Sequence, residues 1–584
     1  MKNGGIFNKD IFQKSIYFLL LLLFFIRIIN IEADIPQTYL IDYSSTDEGI
    51  YGNLALNLQN WNSLMHPLKI SGVTLEQNLQ IILDIIGNSI IYFFMLIFGD
   101  NYYGFRLGIV FVAFVTLIFI LLSIKKLKEN YGVNHYYFEI FTLLFLDISF
   151  IFYSASRVVE PTIFRLFFSS VILYTYVTVK NSVLKSFLIG LFTTISIFLV
   201  YINNTFLILG IIIYILILFF MKQKKEAIQN IIYGTFGVIS GVLISEIYYF
   251  MVWDTEAFKN LFEVIKSFNS NANYTIVVDS GKQSYNFYLF AFIKRIIRFF
   301  ASNLFFYSLP IFSLLMASLY NIKKFFKENR KGYFFCLSMI IALFLQTLVS
   351  EDFINRKSIV LLPFIIYICV DYIILYQRKE VNLSLYNVGE ISFVILCIVI
   401  QKIYLPFSGY AGFNTNDKVI MFLYILIPTI VFLLSLSKRF SYKFLINIFL
   451  VFCLGNILFI HRYYFKNVYF YDKKMMISLD KYGNQIILGE YINGYTLYNN
   501  IRPITASRKE IKKLMDTKNF YYYFDYSDVQ KWLIHEFGKK RLRLVVEYPR
   551  STFNQFGNSN MGIYRIWEKP KTIWYFKEQL KNLK

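Results

Sequence analysis

Between residues 106 and 124 the chain reads RLGIVFVAFVTLIFILLSI and then runs straight into KKLK, and this unit recurs along most of its length: an apolar run near 20 residues, closed by a short basic cluster. A run of that length matches the hydrocarbon thickness of a bilayer when coiled as a helix. Inside lipid a backbone can satisfy its own N–H and C=O groups only as a helix or a closed barrel. The runs lack the two-residue alternation of barrel strands, so the pattern implies an α-helical polytopic membrane protein. Composition agrees: of 584 residues, 57% are hydrophobic and 20% aromatic, against 16% charged. The net charge of +22 would otherwise point to nucleic acid. Lys and Arg fall in short clusters between apolar runs, as cytoplasmic loops do, so the charge is assigned to topology and no nucleic-acid partner is expected.

Two rules then set the expected topology: about 20 apolar residues per span, and basic short loops inside. Lys2, Lys9 and Lys14 precede the first run, and "NIEADIP" offers no small-x-small cleavage site, so this segment (about Ile16 to Ile31) is read as an uncleaved anchor with a cytoplasmic N-terminus. An outside loop of about residues 32–105 follows. It contains an apolar stretch, Leu79 to Phe98, which as a full span would put Lys125, Lys126 and Lys128 outside. It is therefore expected to be a surface or re-entrant helix, with Asp84 and Asn88 incompletely buried. Further spans are expected at about Arg106–Ile124, Tyr136–Tyr153, Thr162–Val179, Leu184–Ile202, Thr205–Met221 and Ile228–Met251. After a second outside loop (about 252–298) come Phe299–Tyr320, Tyr333–Val349, Ser358–Tyr376, Val388–Leu405, Lys418–Leu436 and Phe444–His461. The total of about thirteen sends the C-terminus outside. Cys336, Cys369, Cys397 and Cys453 all lie in apolar runs without metal-ligand spacing and are read as packing residues.

Beyond His461 the pattern changes. Runs rich in strand formers ("QIILGEY", "FYYYFDY", "RLRLVVEY", "MGIYRIW") alternate with helical ones ("SRKEIKKLMD", "DVQKWLIHEFGKK"). Residues 1–461 are thus expected to be the membrane domain and 462–584 a small α/β extracytoplasmic domain. No phosphate-binding glycine loop and no H-E-x-x-H occur, which argues against an ATP-driven pump.

The polar residues of interest converge on the expected outer face. Asp47 and Glu48 lie in the first loop, "FGDNYYGFRLG" carries Arg106, "SASRVVEP" carries Arg157 and Glu160, and "SEDFINRKSIVLLP" carries Glu351, Asp352, Arg356 and Lys357. Guanidinium forks bind phosphate and a carboxylate can accept a proton, so this face suits an anionic lipid headgroup.

In order and sidedness "DEGIYGNLALNLQNW", "FGDNYYGFRLG" and "SASRVVEP" resemble the N-terminal half of the GT-C glycosyltransferases, in particular the protein O-mannosyltransferase and aminoarabinose transferase group. The resemblance implies a plasma-membrane enzyme that moves a sugar from a polyprenyl-phosphate donor to a hydroxyl of a lipid, wall polymer or protein, on the extracytoplasmic side. It implies catalysis by the Asp47/Glu48 pair and donor contacts from Arg106, Arg157, Glu160 and Arg356. The family's proline-rich donor element is altered here: "MHPLKISG" (His66, Pro67, Leu68, Lys69) lacks the second proline and lies further from Phe98, so His66 and Lys69 are the candidates for its role. Phosphate leaves readily, which makes a divalent metal optional, and no residue set has convincing ligand spacing.

Simpler readings stand beside these. Ser45-x-x-Glu48 fits a capping box ahead of a helix burying Ile50, Leu54, Leu58 and Trp61, which leaves Asp47 as the freer base. Arg106, Arg157 and Arg356 could anchor at the interface, and Glu160 could pair with Arg157 across one turn. A polysaccharide or lipid flippase also needs many spans; it predicts matched halves and charges near the midplane.

Overall fold

The computed structural model describes residues 9–33, 85–99, 101–253, 309–349, 359–381 and 460–466, with isolated positions elsewhere and the short strands given below. The helices are α1 (Lys9–Leu23, continued by a 3-10 turn Phe24–Ile28), α2 (Ile85–Phe98), α3 (Tyr102–Asn130), α4 (Tyr137–Ile148), α5 (Phe150–Ala155), α6 (Pro161–Thr178) and α7 (Ser182–Leu199). They continue with α8 (Thr205–Phe220), α9 (Lys224–Trp253), α10 (Leu309–Tyr320), α11 (Ile322–Lys327), α12 (Lys331–Val349) and α13 (Leu362–Gln377). Six helical segments among the described residues are long and apolar enough to cross a bilayer, which makes this a multi-pass membrane protein. The expected spans at Val388–Leu405 and Lys418–Leu436, and most of Phe444–His461, lie outside the described residues.

Burial sorts the helices. In α13 every residue from Leu362 to Leu375 is buried, as expected for a helix apolar on nearly all sides at the centre of a bundle; its one charged residue in that stretch, Asp371, accepts from the Tyr131 hydroxyl. On α9, by contrast, Phe236, Ile239, Leu243, Ile247 and Phe250 form an exposed stripe at helical spacing, the face such a helix turns to lipid. The opposite side of α9 approaches α7 through glycine: a Cβ on Gly237 would stand 2.0 Å from the Phe187 carbonyl oxygen. Only a small-residue seam lets two membrane helices come this near.

Contacts across the bundle define its two ends. At one, Lys128 pairs with Glu139, Lys331 with Glu226, and Arg330 with Glu328 and Glu380. All of these belong to the basic clusters and the short loops beside them. At the other end the start of α3, the α5–α6 junction and the residues after α1 come together around Arg106 and Arg157.

Three local readings change. The expected single span over Tyr136–Tyr153 is two helices, broken at Ser149, whose ψ of 113° leaves the helical region. The break is capped from both sides: the Arg27 guanidinium donates to the carbonyl oxygens of Leu146 and Asp147, where α4 stops supplying partners, and the Ser149 side chain accepts from the Phe152 N–H as N-cap of α5. Second, α3 begins at Tyr102, so Arg106 stands inside the first turns of a helix instead of at its entrance. Third, Asn88 is fully buried, against its expected partial exposure, because α2 packs on protein; Asp84 lies outside the described residues. The described part of α2 is about 21 Å long at 1.5 Å per residue, short of the roughly 30 Å hydrocarbon core. Its Ile85 clusters with Leu199 and Tyr249 at the ends of α7 and α9, and Gly99 adjoins the Asn101 cap of α3. The backbones of Met95 and Ile91 lie against Gly104 and Gly108, so α2 runs antiparallel beside the first turns of α3.

Cys336, Cys369 and Cys453 are buried free thiols, in keeping with packing roles. Near the N-terminus β1 (Leu68–Ile70) and β2 (Val73–Leu75) pair antiparallel. Beyond the last helix lie β3 (Ile486–Leu488), β4 (Arg502–Ile504), β5 (Phe520–Phe524), β6 (Leu542–Pro549) and β7 (Asn560–Ile566). They form a mixed sheet of order β4-β3-β5-β7-β6, parallel at β4/β3/β5 and antiparallel at β5/β7/β6. The four strand-like runs of the sequence each overlap one of these strands (β3, β5, β6 and β7); β4 was hidden by its length and by Pro503, a residue that reads against a strand interior.

A candidate phosphate-binding site at the arginine end

The arginine end is built on the ten residues that leave α1, FFIRIINIEA (24–33). Arg106 donates to the carbonyl oxygens of Ile31 and, at 2.6 Å, Ala33, and its guanidinium lies 4.6 Å from the Tyr102 ring centre. Arg157 donates to the Asn30 carbonyl at 2.5 Å and to the Tyr153 hydroxyl at 3.2 Å, and lies 4.5 Å from the ring of Tyr464. Arg27 donates to the Phe24 carbonyl at 3.0 Å, to Ser156 Oγ at 2.9 Å and to Asp147 at 3.2 Å. One short segment thus holds three guanidinium groups from three parts of the chain. All three are buried, with 1% to 3% of their surface exposed.

Electrostatics agrees with this proximity. Burial pushes the Arg157 guanidinium below its ordinary value, the neighbouring Tyr153 and Tyr464 oppose that, and the like charge of Arg106 adds to it. An arginine remains protonated under such pressure, so the groups stay cations in a poorly solvated space. Burial likewise raises the Tyr464 phenol to about 12, keeping it a neutral donor. Glu160 is buried as well; its carboxylate accepts from Thr162 Oγ1 at 3.2 Å as the chain enters α6 at Pro161. A fourth arginine, Arg165, is buried one turn further on and donates to Asn204 and Gln346, each at 2.9 Å.

Of the residues expected from sequence, Arg106, Arg157 and Glu160 are brought to one end of the bundle, the two arginines onto adjacent carbonyls of one strand of chain. Lys69 sits mid-strand in β1, opposite Thr74. Asp47, Glu48, His66 and Arg356 lie outside the described residues. Sequence reading missed Arg27, Tyr153 and Tyr464. Arg27 carried a usable signal, a charge inside an apolar run, and so did its partner Asp147 in "LFLDISF"; the tyrosines carried none in a chain with 47 of them.

No protein-family model and no curated protein matches the sequence. Among solved structures the chain is similar to ArnT from Cupriavidus metallidurans in the apo state, with a TM-score of 0.51 and 11% identity over 95% of this chain and 98% of that one. The fold is of the GT-C type. ArnT from the same organism bound to undecaprenyl phosphate gives a TM-score of 0.50 and 11% identity over 94% and 97%. The Archaeoglobus fulgidus oligosaccharyltransferase in the apo form gives 0.44 and 10% over 95% and 75%. Identity this low speaks for the GT-C fold alone.

Proposed function

We propose that the protein is a membrane glycosyltransferase that moves a sugar from a polyprenyl-phosphate donor to an acceptor hydroxyl on the extracytoplasmic side of the plasma membrane. The observation that carries this reading is the convergence of Arg27, Arg106 and Arg157 at one end of a bundle whose fold resembles a chain solved with undecaprenyl phosphate. Buried guanidinium groups bind phosphate strongly because little water competes with them.

The chemistry is a single displacement. The acceptor oxygen bonds to the anomeric carbon while the bond from that carbon to the phosphate oxygen breaks, and the electron pair leaves on the phosphate. Arg106 and Arg157 stabilise that charge, and Arg356 is assigned to the same task from the sequence. The acceptor proton passes to a carboxylate, for which Asp47 is the first choice and Glu48 the second. One displacement inverts the anomeric configuration, and no covalent sugar–enzyme intermediate forms. The acceptor is a lipid, a wall polymer or a protein, and residues 462–584 are proposed to form the extracytoplasmic domain on its side.

The test is mass spectrometry of glycolipids, wall polymers and surface proteins from cells with and without the gene, followed by complementation. One sugar should be missing without the gene, return with the native chain, and stay missing with Arg106→Ala and Arg157→Ala combined. An unchanged sugar profile together with altered export of a lipid-linked sugar would replace this reading with a flippase.

A further inference from the structure

Arg157 is seated by residues that come from opposite ends of the sequence. Its guanidinium lies against the face of Tyr464, 4.5 Å from the ring centre, in the π-helical turn Arg462–Lys466 that follows the last apolar segment and precedes the C-terminal sheet. That ring has little freedom: its hydroxyl donates to Ser154 Oγ at 2.7 Å, and Tyr153 packs on it at 4.9 Å between centres. The backbone of Tyr464 is tied as well, because Asn30 Nδ2 donates to its carbonyl at 3.1 Å. Asn30 meanwhile turns its own carbonyl to Arg157. It can do both because its φ is +54°, a left-handed conformation that asparagine tolerates better than most residues.

Resting on the reading of Arg157 as a donor-phosphate ligand, we infer that Tyr464 and Asn30 are positioning residues that aim this guanidinium, and that donor affinity therefore depends on the segment joining the bundle to the C-terminal sheet. Tyr464 supplies the aromatic face, Ser154 fixes the ring, and Asn30 links the Tyr464 backbone to Arg157. The carbonyl contact and the ring fix two sides of a planar cation and leave its remaining edge a defined direction. Removing the ring lets the guanidinium take other rotamers, and ordering it again on binding costs free energy.

The experiment measures binding of undecaprenyl phosphate to the purified full-length protein in nanodiscs, for the native chain, Arg157→Ala, Tyr464→Leu, Tyr464→Phe, Asn30→Gly, and Arg157→Ala combined with each of the last three. A face contact in a desolvated site is worth enough for Tyr464→Leu to weaken binding about tenfold. Tyr464→Phe, which keeps the ring, should stay within about threefold of native, and Asn30→Gly, which allows the same φ but deletes the donor, should lose about threefold. In the Arg157→Ala background each of these losses should vanish, since a positioning residue has nothing left to position. Losses that persist undiminished in that background would mark a general structural role and overturn the inference. So would native affinity in Tyr464→Leu beside a weakened Arg157→Ala. Should Tyr464→Leu fail to reach the membrane, Asn30→Gly decides by the same criterion. Native affinity in Arg157→Ala, or no binding by the native chain, would instead overturn the reading of the site on which the inference rests.

Discussion

The two ends of the helix bundle handle buried charge differently. At the lysine end each cation described above meets a carboxylate: Lys128 and Glu139 at 2.5 Å, both almost fully buried, and Arg330 with Glu328 at 2.6 Å and Glu380 at 2.9 Å. Asp371 accepts from Tyr131, which in turn accepts from Arg330. Charge there is closed on itself and ties helices together. At the arginine end Arg27 likewise meets a carboxylate, Asp147 at 3.2 Å, but Arg157 is held by a backbone carbonyl, a phenol and a ring face, all of them neutral. Neutral groups do not cancel the charge of Arg157, and a charge at low dielectric attracts an anionic headgroup. The difference separates charge that builds the bundle from charge that serves it, and each substitution below sharpens that division or erases it.

The largest effect should come from the proposed base. Asp47→Asn preserves size and most hydrogen bonding but cannot take the acceptor proton, so sugar transfer in membranes matched for protein should fall by about 10²- to 10⁴-fold. Glu48→Gln should cost less in turnover, and about 0.5 to 2 kcal/mol of stability if it closes the cap with Ser45. Near-native turnover in Asp47→Asn would remove Asp47 as base, and a dead Glu48→Gln would move the role to its neighbour.

Next in size is a pair of substitutions read by two instruments. Glu139→Gln leaves the buried Lys128 cation without its counter-charge, which typically costs about 3 to 5 kcal/mol. The loss should appear as a lower melting temperature in detergent, with affinity for undecaprenyl phosphate unchanged in the folded fraction. Arg106→Ala and Arg157→Ala should do the reverse. A charge-assisted bond to phosphate is worth about 1.5 to 3 kcal/mol, so each should weaken binding about tenfold or more, and lysine should restore only part of it. If the lysine-end variant weakens binding and the arginine-end variants only melt early, the division between the two ends is wrong.

That division was half legible in the sequence. The basic clusters were visible as clusters, and their spacing against apolar runs of fixed length located most of the helices now described. Arg106, Arg157 and Glu160 could be picked out because they border those runs in recognisable company. Arg27 carried only the signal of a charge inside an apolar run, "FFIRIIN"; its pairing was not legible, because its partner Asp147 lies 120 positions away. Nothing in "HRYYFKN" marks Tyr464, whose importance arises only from a contact with Ser154 at a separation of 310 residues. The break at Ser149 carried only the weak signal of a serine N-cap, with no proline or glycine beside it, and the carbonyls it frees are met by Arg27 from another helix. Local pattern records what a segment does by itself; these residues matter for what they do to distant ones.

The smallest effect tests whether the lysine end owes anything to its exposed pairs. Glu328 is about one-third exposed and is held below the ordinary glutamate value of 4.5, first by its hydrogen bond from Arg330 and then by the charges of Arg330 and Lys324. A carboxylate with a lowered folded value stabilises the protein above its unfolded value, and that contribution is lost as pH falls through the folded one. Glu328 should therefore contribute a constant amount from neutral pH down to about 5 and progressively less below 4.5. Solvent screening limits the amount to about 0.2 to 1 kcal/mol, well under the cost at Glu139. Melting curves of the native chain and Glu328→Gln should differ slightly at pH 7 and converge towards pH 3.5, with undecaprenyl phosphate binding identical at neutral pH. A difference that grows on acidification would mean that the neutral side chain, not the carboxylate, is the form the fold prefers at this position.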